Sequence, residues 1–320
     1  MVLLLPRLGV RAAVENRMKA FVEEVRRQPH ILGEFSRSSF PRARRGAILV
    51  GAGDSYSVAM SGFFSSGGAC IALDPYHLAT VPEIAEGVDV VLISVSGRTA
   101  SNLAAARKVR SLARRTIGIT SDEKSSLAGQ VDEVVRLPMR YVPRTPGLLS
   151  YTLSLLAILK IVGLEEKCDF GGAYRAASKD QGKIGWAQGT TYFLGNSLAY
   201  PVAMYAAAKT YEFFGAKAHA ELLEEFSHLE LFSLGHSDVV NVFSAFDPLD
   251  QSRRLAGALA RGRYERRVVP RRGTSRTEQL FHAVFATQLS VLKRAGALGL
   301  SRPSFLTSEQ RLAVSDSMIY

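Results

Sequence analysis

Short apolar runs alternate with longer stretches of helical periodicity along the first half of the chain. Ala47–Gly51 (AILVG), Cys70–Leu73, Val88–Ser94 (VDVVLIS), Thr116–Thr120 (TIGIT) and Glu133–Leu137 read as five strands. Strands this uniformly apolar are buried on both faces, which predicts a parallel sheet covered by helices. Helices are expected at 55–67 and 99–114, and LLSYTLSLLAILKIVGL (148–164) supplies a closing one. That last segment carries Ser150, Thr152, Ser154 and Lys160. It falls short of the ~20 clean apolar residues of a membrane span, so it reads as a buried core helix and no membrane partner is expected.

A polar, glycine-containing stretch, EEKCDFGGAYRAASKDQGK (165–183), reads as a linker, after which the pattern restarts. Thr191–Gly195, Val239–Phe243 and Arg267–Pro270 are strand candidates; 200–214, Leu255–Arg261 and 278–294 are helical. Both halves open with an apolar strand, a G-x-[GS] turn and a helix, a weak internal duplication. The expectation is an α/β protein of two similar three-layer domains with mainly parallel, doubly wound sheets, one over 20–165 and one over 180–320.

Composition changes this picture little. The 320 residues are 47% hydrophobic and 22% charged, an ordinary globular balance. The opening MVLLLPRLGV is too short an apolar run for a secretory signal. Two cysteines, Cys70 and Cys168, suggest neither a disulfide framework nor a zinc site, and a cytoplasmic protein is expected. The net charge of +11 is unusual, and seven arginines crowd RGRYERRVVPRRGTSR (261–276). Only Tyr264 accompanies them as an aromatic, so nucleic acid is not the expected partner. A positive field that draws in small anionic substrates fits better.

Candidate chemistry begins at Ser94-Val95-Ser96-Gly97-Arg98-Thr99, directly behind the third strand. In an open parallel sheet, ligands bind beyond the carboxyl ends of strands, where a helix start offers free amides and a positive dipole end. Gly97 lets the backbone approach an anion, and the hydroxyls add donors, so the loop reads as a phosphate cradle. It has no G-K-[ST], and Gly51-Ala52-Gly53 lacks the third glycine of a dinucleotide fingerprint. The alternative is that Ser96 and Thr99 merely cap the helix.

Further along, Lys209 and Glu212 sit three apart in AAAKTYEFF and share a helix face, either as a surface ion pair or as working groups. Ala206, Ala207, Ala208, Phe213 and Phe214 argue against a solvated helix.

With these stretches in view, the chain resembles the sugar isomerase (SIS) domain family. It is most similar to the isomerase half of glucosamine-6-phosphate synthase and to archaeal phosphoglucose/phosphomannose isomerases. VEEVRRQPHIL (22–32) resembles the lead-in E-I-x-x-Q-P, and GAGDSYSVA (51–59) the turn G-x-G-T-S-x-x-A. ISVSGRTASN (93–102) resembles I-S-Q-S-G-E-T-A-D-T, and SSLA (125–128) matches a further short motif. In the second half, FLGNSLAYPVAMYAAAKTYEFF (193–214) and AHAELLEEFSH (218–228) are similar to F-L-G-R-G-x-x-Y-P-x-A-x-E-G-A-L-K-x-K-E-I and A-E-A-Y-x-x-G-E-L-K-H.

The resemblance implies that Ser94, Ser96 and Thr99, with the Val95 and Gly97 amides, bind the phosphate of a sugar phosphate, with Gly53 and Ser55 lining the sugar. It implies that Glu212 is the base that moves a proton between C1 and C2 through an enediol, with Lys209 beside it. His228 would open the sugar ring, usually from a neighbouring subunit, so a homodimer is implied, and Glu225 would orient it. Burial is expected to raise the glutamate's pKa toward neutrality. His77, His219, His236 and His282 show no paired spacing and are expected to be structural; no cofactor and no metal site are implied.

The chain departs from the family pattern at several points. Ser308 stands near the place of a C-terminal lysine, Asp54 replaces a threonine, Val95 replaces a glutamine, and RTPGLLSYT (144–152) replaces V-A-S-T-K-x-F-T. Asp54 is expected to set a negative charge close to the phosphate. The residues ahead of the first motif hold no glutaminase domain, so no glutamine-derived ammonia is expected to be available from this chain. Three functions stay open: isomerase or deaminase on a hexose or amino-hexose phosphate, deglycase on a sugar–amine adduct, and sugar-phosphate binder without turnover.

Overall fold

The computed structural model describes residues 8–320, with side chains from residue 17 onward; most of MVLLLPRLGV therefore lies outside the described residues. A long helix α1 (Leu8–Phe35) comes first, followed by β1 (Ile48–Gly51), α2 (Asp54–Ser65), β2 (Ile71–Leu73) and α3 (Pro75–Thr80). Then come β3 (Asp89–Ile93), α4 (Ala100–Val109), β4 (Arg115–Thr120), β5 (Glu133–Arg136) and α5 (Leu149–Ile161). The five strands form one parallel sheet in the order β2-β1-β3-β4-β5. All residues of β1 and β3 are buried, as their apolar runs require; Asp89, which opens β3, is buried as well and pairs with Arg114 and Arg115.

The second half holds α6 (Phe170–Asp180), β6 (Thr191–Leu194), α7 (Ala199–Phe214), β7 (Ala218–Glu221) and α8 (Leu223–His228). It continues through β8 (Val239–Phe243), α9 (Gln251–Arg261), β9 (Arg266–Val269), α10 (Arg276–Ala297) and α11 (Glu309–Ile319). Its strands pair in parallel as β7-β6-β8-β9, the same winding with one strand fewer. The duplication extends to close contacts. Gly51 lies on the backbone of Ser55 and Gly195 on that of Ala199, so that a Cβ at either glycine would overlap the next helix. Each glycine lets its first helix turn back tightly over the strand end.

The linker expectation is corrected. Residues 170–180 form α6, because Phe170, Ala173, Ala177 and Asp180 recur at helical spacing and are buried. Asp169 caps its start and leaves no room for a side chain at Gly172. At its other end Asp180 Oδ2 meets His282 Nε2 and Arg272 Nε, each at 3.0 Å, which ties α6 to α10. Arg276 likewise pairs with Glu166 at 2.8 Å and Arg267 with Glu265 at 2.9 Å, so the basic stretch is partly spent on internal carboxylates.

The N-terminal motif VEEVRRQPHIL is also explained by contacts. Glu24 accepts the Leu149 amide at 2.9 Å, and buried Gln28 accepts the Thr152 hydroxyl at 3.1 Å, both on α5. Segment 148–164 is the core helix its composition suggested: eleven of the thirteen residues of α5 are buried. Among the described residues no helix is long and apolar enough to cross a membrane. The two halves pack through α2 and α7, where Ser57 donates to the Pro201 carbonyl at 2.7 Å, and through Tyr151 of α5 stacked on Tyr205 of α7.

Candidate active site

The strand order of the first sheet reverses between β1 and β3, so their carboxyl ends border the crevice in which such sheets bind ligands. From β1 the chain turns into α2, setting Asp54 and Ser55 in its first turn. From β3 it enters the hydroxyl loop. Ser94 Oγ and Thr99 Oγ1 lie 3.0 Å apart across that loop. The Val95 carbonyl accepts from the Ser121 amide (3.0 Å) and hydroxyl (2.8 Å), and the Gly97 carbonyl from the Leu127 amide (2.9 Å). Gly97 has φ +61°, and a Cβ there would run into Ser125. With the carbonyls tied back, the Val95 and Ser96 amides find no acceptor among the described residues. The Gly97 amide, expected above to face the phosphate, instead donates to the Ser94 carbonyl at 2.9 Å, because the loop closes on itself as a tight turn. Thr99 precedes α4, but its hydroxyl turns to Ser94 and does not cap the helix, which leaves the first-turn amides free. Capping alone does not account for these hydroxyls; a cradle of amides at a helix start does suit an anion.

Facing this loop, α7 places Lys209 in full burial. Its Nζ lies 2.7 Å from Asp54 Oδ2, 2.6 Å from Glu212 Oε2 and 5.1 Å from the centre of the Tyr205 ring. Burial pulls the lysine's pKa down, but the two carboxylates outweigh it and hold the ammonium charged. For Glu212, loss of water raises the pKa, Lys209 opposes the rise, and Asp54 adds to it; the carboxyl is pushed up to about 7. Asp54 therefore does not act as an isolated negative charge beside the loop, as expected above, because Lys209 neutralises it. Gly147 makes the room, since a side chain there would strike the Asp54 carboxylate. Beneath the triad, Tyr205 donates to the Gly147 carbonyl at 2.8 Å and accepts from Gln288 at 3.0 Å.

Asp54, Glu212, Val95 and Ser96 line one cavity of about 820 Å³, large enough for a small organic ligand. Lys209 lies behind the two carboxylates, while Gly53, Ser55, Ser94, Gly97 and Thr99 shape the surrounding loops without lining it. The far wall is α11, which contributes Leu312, Ser315, Asp316 and Ile319. Asp316 pairs with Arg144 at 2.7 Å, and the hydroxyls of Tyr320 and Tyr141 meet at 3.1 Å. Ser308 caps α11 by accepting the Arg311 amide. Arg98, Arg144 and this C-terminal wall were not singled out by the sequence reading, although Arg98 sits inside the hydroxyl loop itself.

His228 does not line the cavity of its own chain. It ends α8 with its side chain 71% exposed. The carboxylate beside it is Glu224, at 3.5 Å, and Glu225 makes no ion pair among the described residues. The expectation that Glu225 orients the histidine is replaced by a Glu224 contact, because residues four apart stack on one helix face.

Residues 42–162 match the SIS domain family. No curated protein matches the sequence significantly. Among solved structures, the chain is similar to glucosamine-6-phosphate deaminase from Thermotoga maritima, at 20% identity and a TM-score of 0.68. That match covers 87% of this chain and 95% of the other. Tagatose-6-phosphate ketose/aldose isomerase from Escherichia coli matches at 20% identity and TM-score 0.67, over 87% and 94%. The C-terminal domain of glucosamine-fructose-6-phosphate aminotransferase from Francisella tularensis matches at 19% and 0.68, over 87% and 95%. At these identities the likeness establishes a shared fold across both halves.

Proposed function

We propose, starting from the match of residues 42–162 to the SIS domain family, that this chain is an enzyme of sugar-phosphate chemistry. In this reading it moves a proton between C1 and C2 of a hexose or amino-hexose phosphate. The observation that carries the reading is one cavity shared by an anion cradle and a desolvated carboxylate, Ser96 and Glu212, with Asp54 and Lys209 closing the triad behind.

The phosphate sits on the Val95 and Ser96 amides at the start of α4, which leaves the sugar carbons toward Glu212. A carboxylate with a pKa near neutrality can take a proton at C2 and return it at C1, since neither its acid nor its base form is strongly favoured at physiological pH. Charged Lys209 steadies the ionised form of Glu212 and offsets the developing negative charge of an enediolate. On an amino sugar the same step gives an enolamine, and addition of water then releases ammonia. His228, exposed on its own chain, opens the ring in the cavity of a second copy, which makes the working unit a homodimer. Phosphorylated sugars are charged and do not cross bilayers unaided, which fits a cytoplasmic protein.

Purified protein incubated with fructose 6-phosphate and with glucosamine 6-phosphate, followed for aldose formation and for ammonia release, tests the reading. Turnover of either supports it and names the branch. Saturable binding of both with no turnover of either leaves a sugar-phosphate binder, and then Lys209 serves to hold Glu212 and Asp54 in place.

A further inference from the structure

On the other side of the second sheet from the cavity's triad, the edge strand β7 carries His219 and Glu221, two residues apart and so on one face. Glu230, in the turn after α8, comes back to meet them. His219 Nε2 lies 2.9 Å from Glu230 Oε1 and 3.8 Å from Glu221 Oε2, and one ligand atom from each residue lies within 4.8 Å of the other two.

This arrangement is more than a surface ion pair. Although His219 Nε2 is close to Glu230, it makes no hydrogen bond, and both it and Glu230 Oε2 are shut off from water. Polar atoms shut off from water that converge with no hydrogen bond to satisfy them cost free energy, which a cation bound between them would offset. Glu221 is already oriented: its Oε1 accepts the Leu222 amide at 2.7 Å, which leaves Oε2 toward the imidazole. In a chain of net charge +11, residues 218–230 hold four glutamates and no lysine or arginine. Lys217 borders the same shallow pocket but makes no ion pair among the described residues. Ligand atoms about 2.0–2.2 Å from a tetrahedral zinc stand roughly 3.3–3.6 Å apart, a spacing that 2.9 and 3.8 Å bracket.

We propose that His219, Glu221 and Glu230 form a site for a divalent transition-metal cation, with zinc the best fit to an imidazole and two carboxylates. The ion ties the β7 edge to the turn after α8, and a water completes its coordination. Glu224, Glu225 and His228 lie between the ligands in sequence, so an occupied site fixes the segment that presents His228. The site is separate from the sugar-phosphate cavity and does not depend on what that cavity does.

The test uses chelator-stripped, untagged full-length protein titrated with zinc chloride, with bound metal counted per chain and amide exchange followed over 218–230. One zinc per chain is expected, with slowed exchange in α8. His219→Ala and Glu230→Gln should each weaken binding at least about tenfold, while His236→Ala, outside the cluster, retains it. Cobalt in place of zinc should give the intense visible bands of a four-coordinate ion. No uptake by the folded wild type, or uptake undiminished in both ligand variants, overturns the site.

Discussion

Asp54, from the first half of the chain, and Lys209, from the second, meet at 2.7 Å. Through that lysine Asp54 is linked to Glu212, 2.6 Å further on. The two largely buried carboxylates share a single fully buried cation, and the share each receives sets the proton affinity of Glu212. The predictions about proton transfer in the cavity run through this link.

The first concerns pH. Burial holds the Glu212 pKa at about 7, above its ordinary 4.5, so the base form is complete only above neutrality. Proton abstraction should be level above pH 7 and fall about tenfold per pH unit below it, as measured by initial rate in a pH series. The sign for stability is opposite. A raised carboxyl favours the folded state while protonated and loses that contribution as pH rises from 4.5 through 7. Glu212→Gln should therefore gain in Tm on the wild type as pH climbs through that window.

Asp54→Asn removes the charge that opposes ionisation of Glu212 while Lys209 remains. The midpoint of the pH–rate profile should move to lower pH. An unmoved midpoint would show that Asp54 does not act on Glu212. Lys209→Met, by contrast, leaves two carboxylates facing each other with no cation. A stability loss of ~3–5 kcal/mol is expected from urea denaturation at pH 7.5, together with a midpoint shifted to higher pH.

Ser96→Ala combined with Thr99→Val deletes hydroxyls from the cradle and leaves its backbone in place. Affinity for a sugar phosphate should fall by about 1–3 kcal/mol in calorimetry, with affinity for the unphosphorylated sugar unchanged. Equal losses for both ligands would move the phosphate away from this loop.

If His228 serves a second copy, Glu212→Gln and His228→Ala chains, each inactive alone, should regain part of the activity when mixed and allowed to exchange. A mixture that exchanges subunits but stays inactive places both residues in one chain's site.

Much of this was legible in the chain. The nearly continuous apolar runs of β1 and β3, broken only by Asp89, indicated a parallel sheet, since strands covered on both faces carry apolar residues at successive positions. Gly97 and the hydroxyls around it marked the loop, and the alanines and phenylalanines flanking Lys209 argued correctly against a solvated pair. What escaped depended on partners distant in sequence. Nothing near Asp54 indicates that Lys209 stands beside it, so its charge looked unfavourable. The glycines of FGGAYRAASKD masked the spacing that makes α6 a helix. Glu230 joins His219 and Glu221 only because α8 folds back. The H-x-E of β7 was visible, but it carries meaning only once those residues are known to be in a strand.

The most direct measurement is entry of solvent deuterium into the sugar at C1 or C2, followed by mass spectrometry with fructose 6-phosphate and glucosamine 6-phosphate in heavy water. It needs no knowledge of the final product. The account predicts exchange in the wild type and a loss of ~10²–10⁴-fold in Glu212→Gln, with ligand affinity largely kept because glutamine is nearly isosteric. Exchange by Glu212→Gln at the wild-type rate, or no exchange by a wild type that binds these ligands, would contradict it.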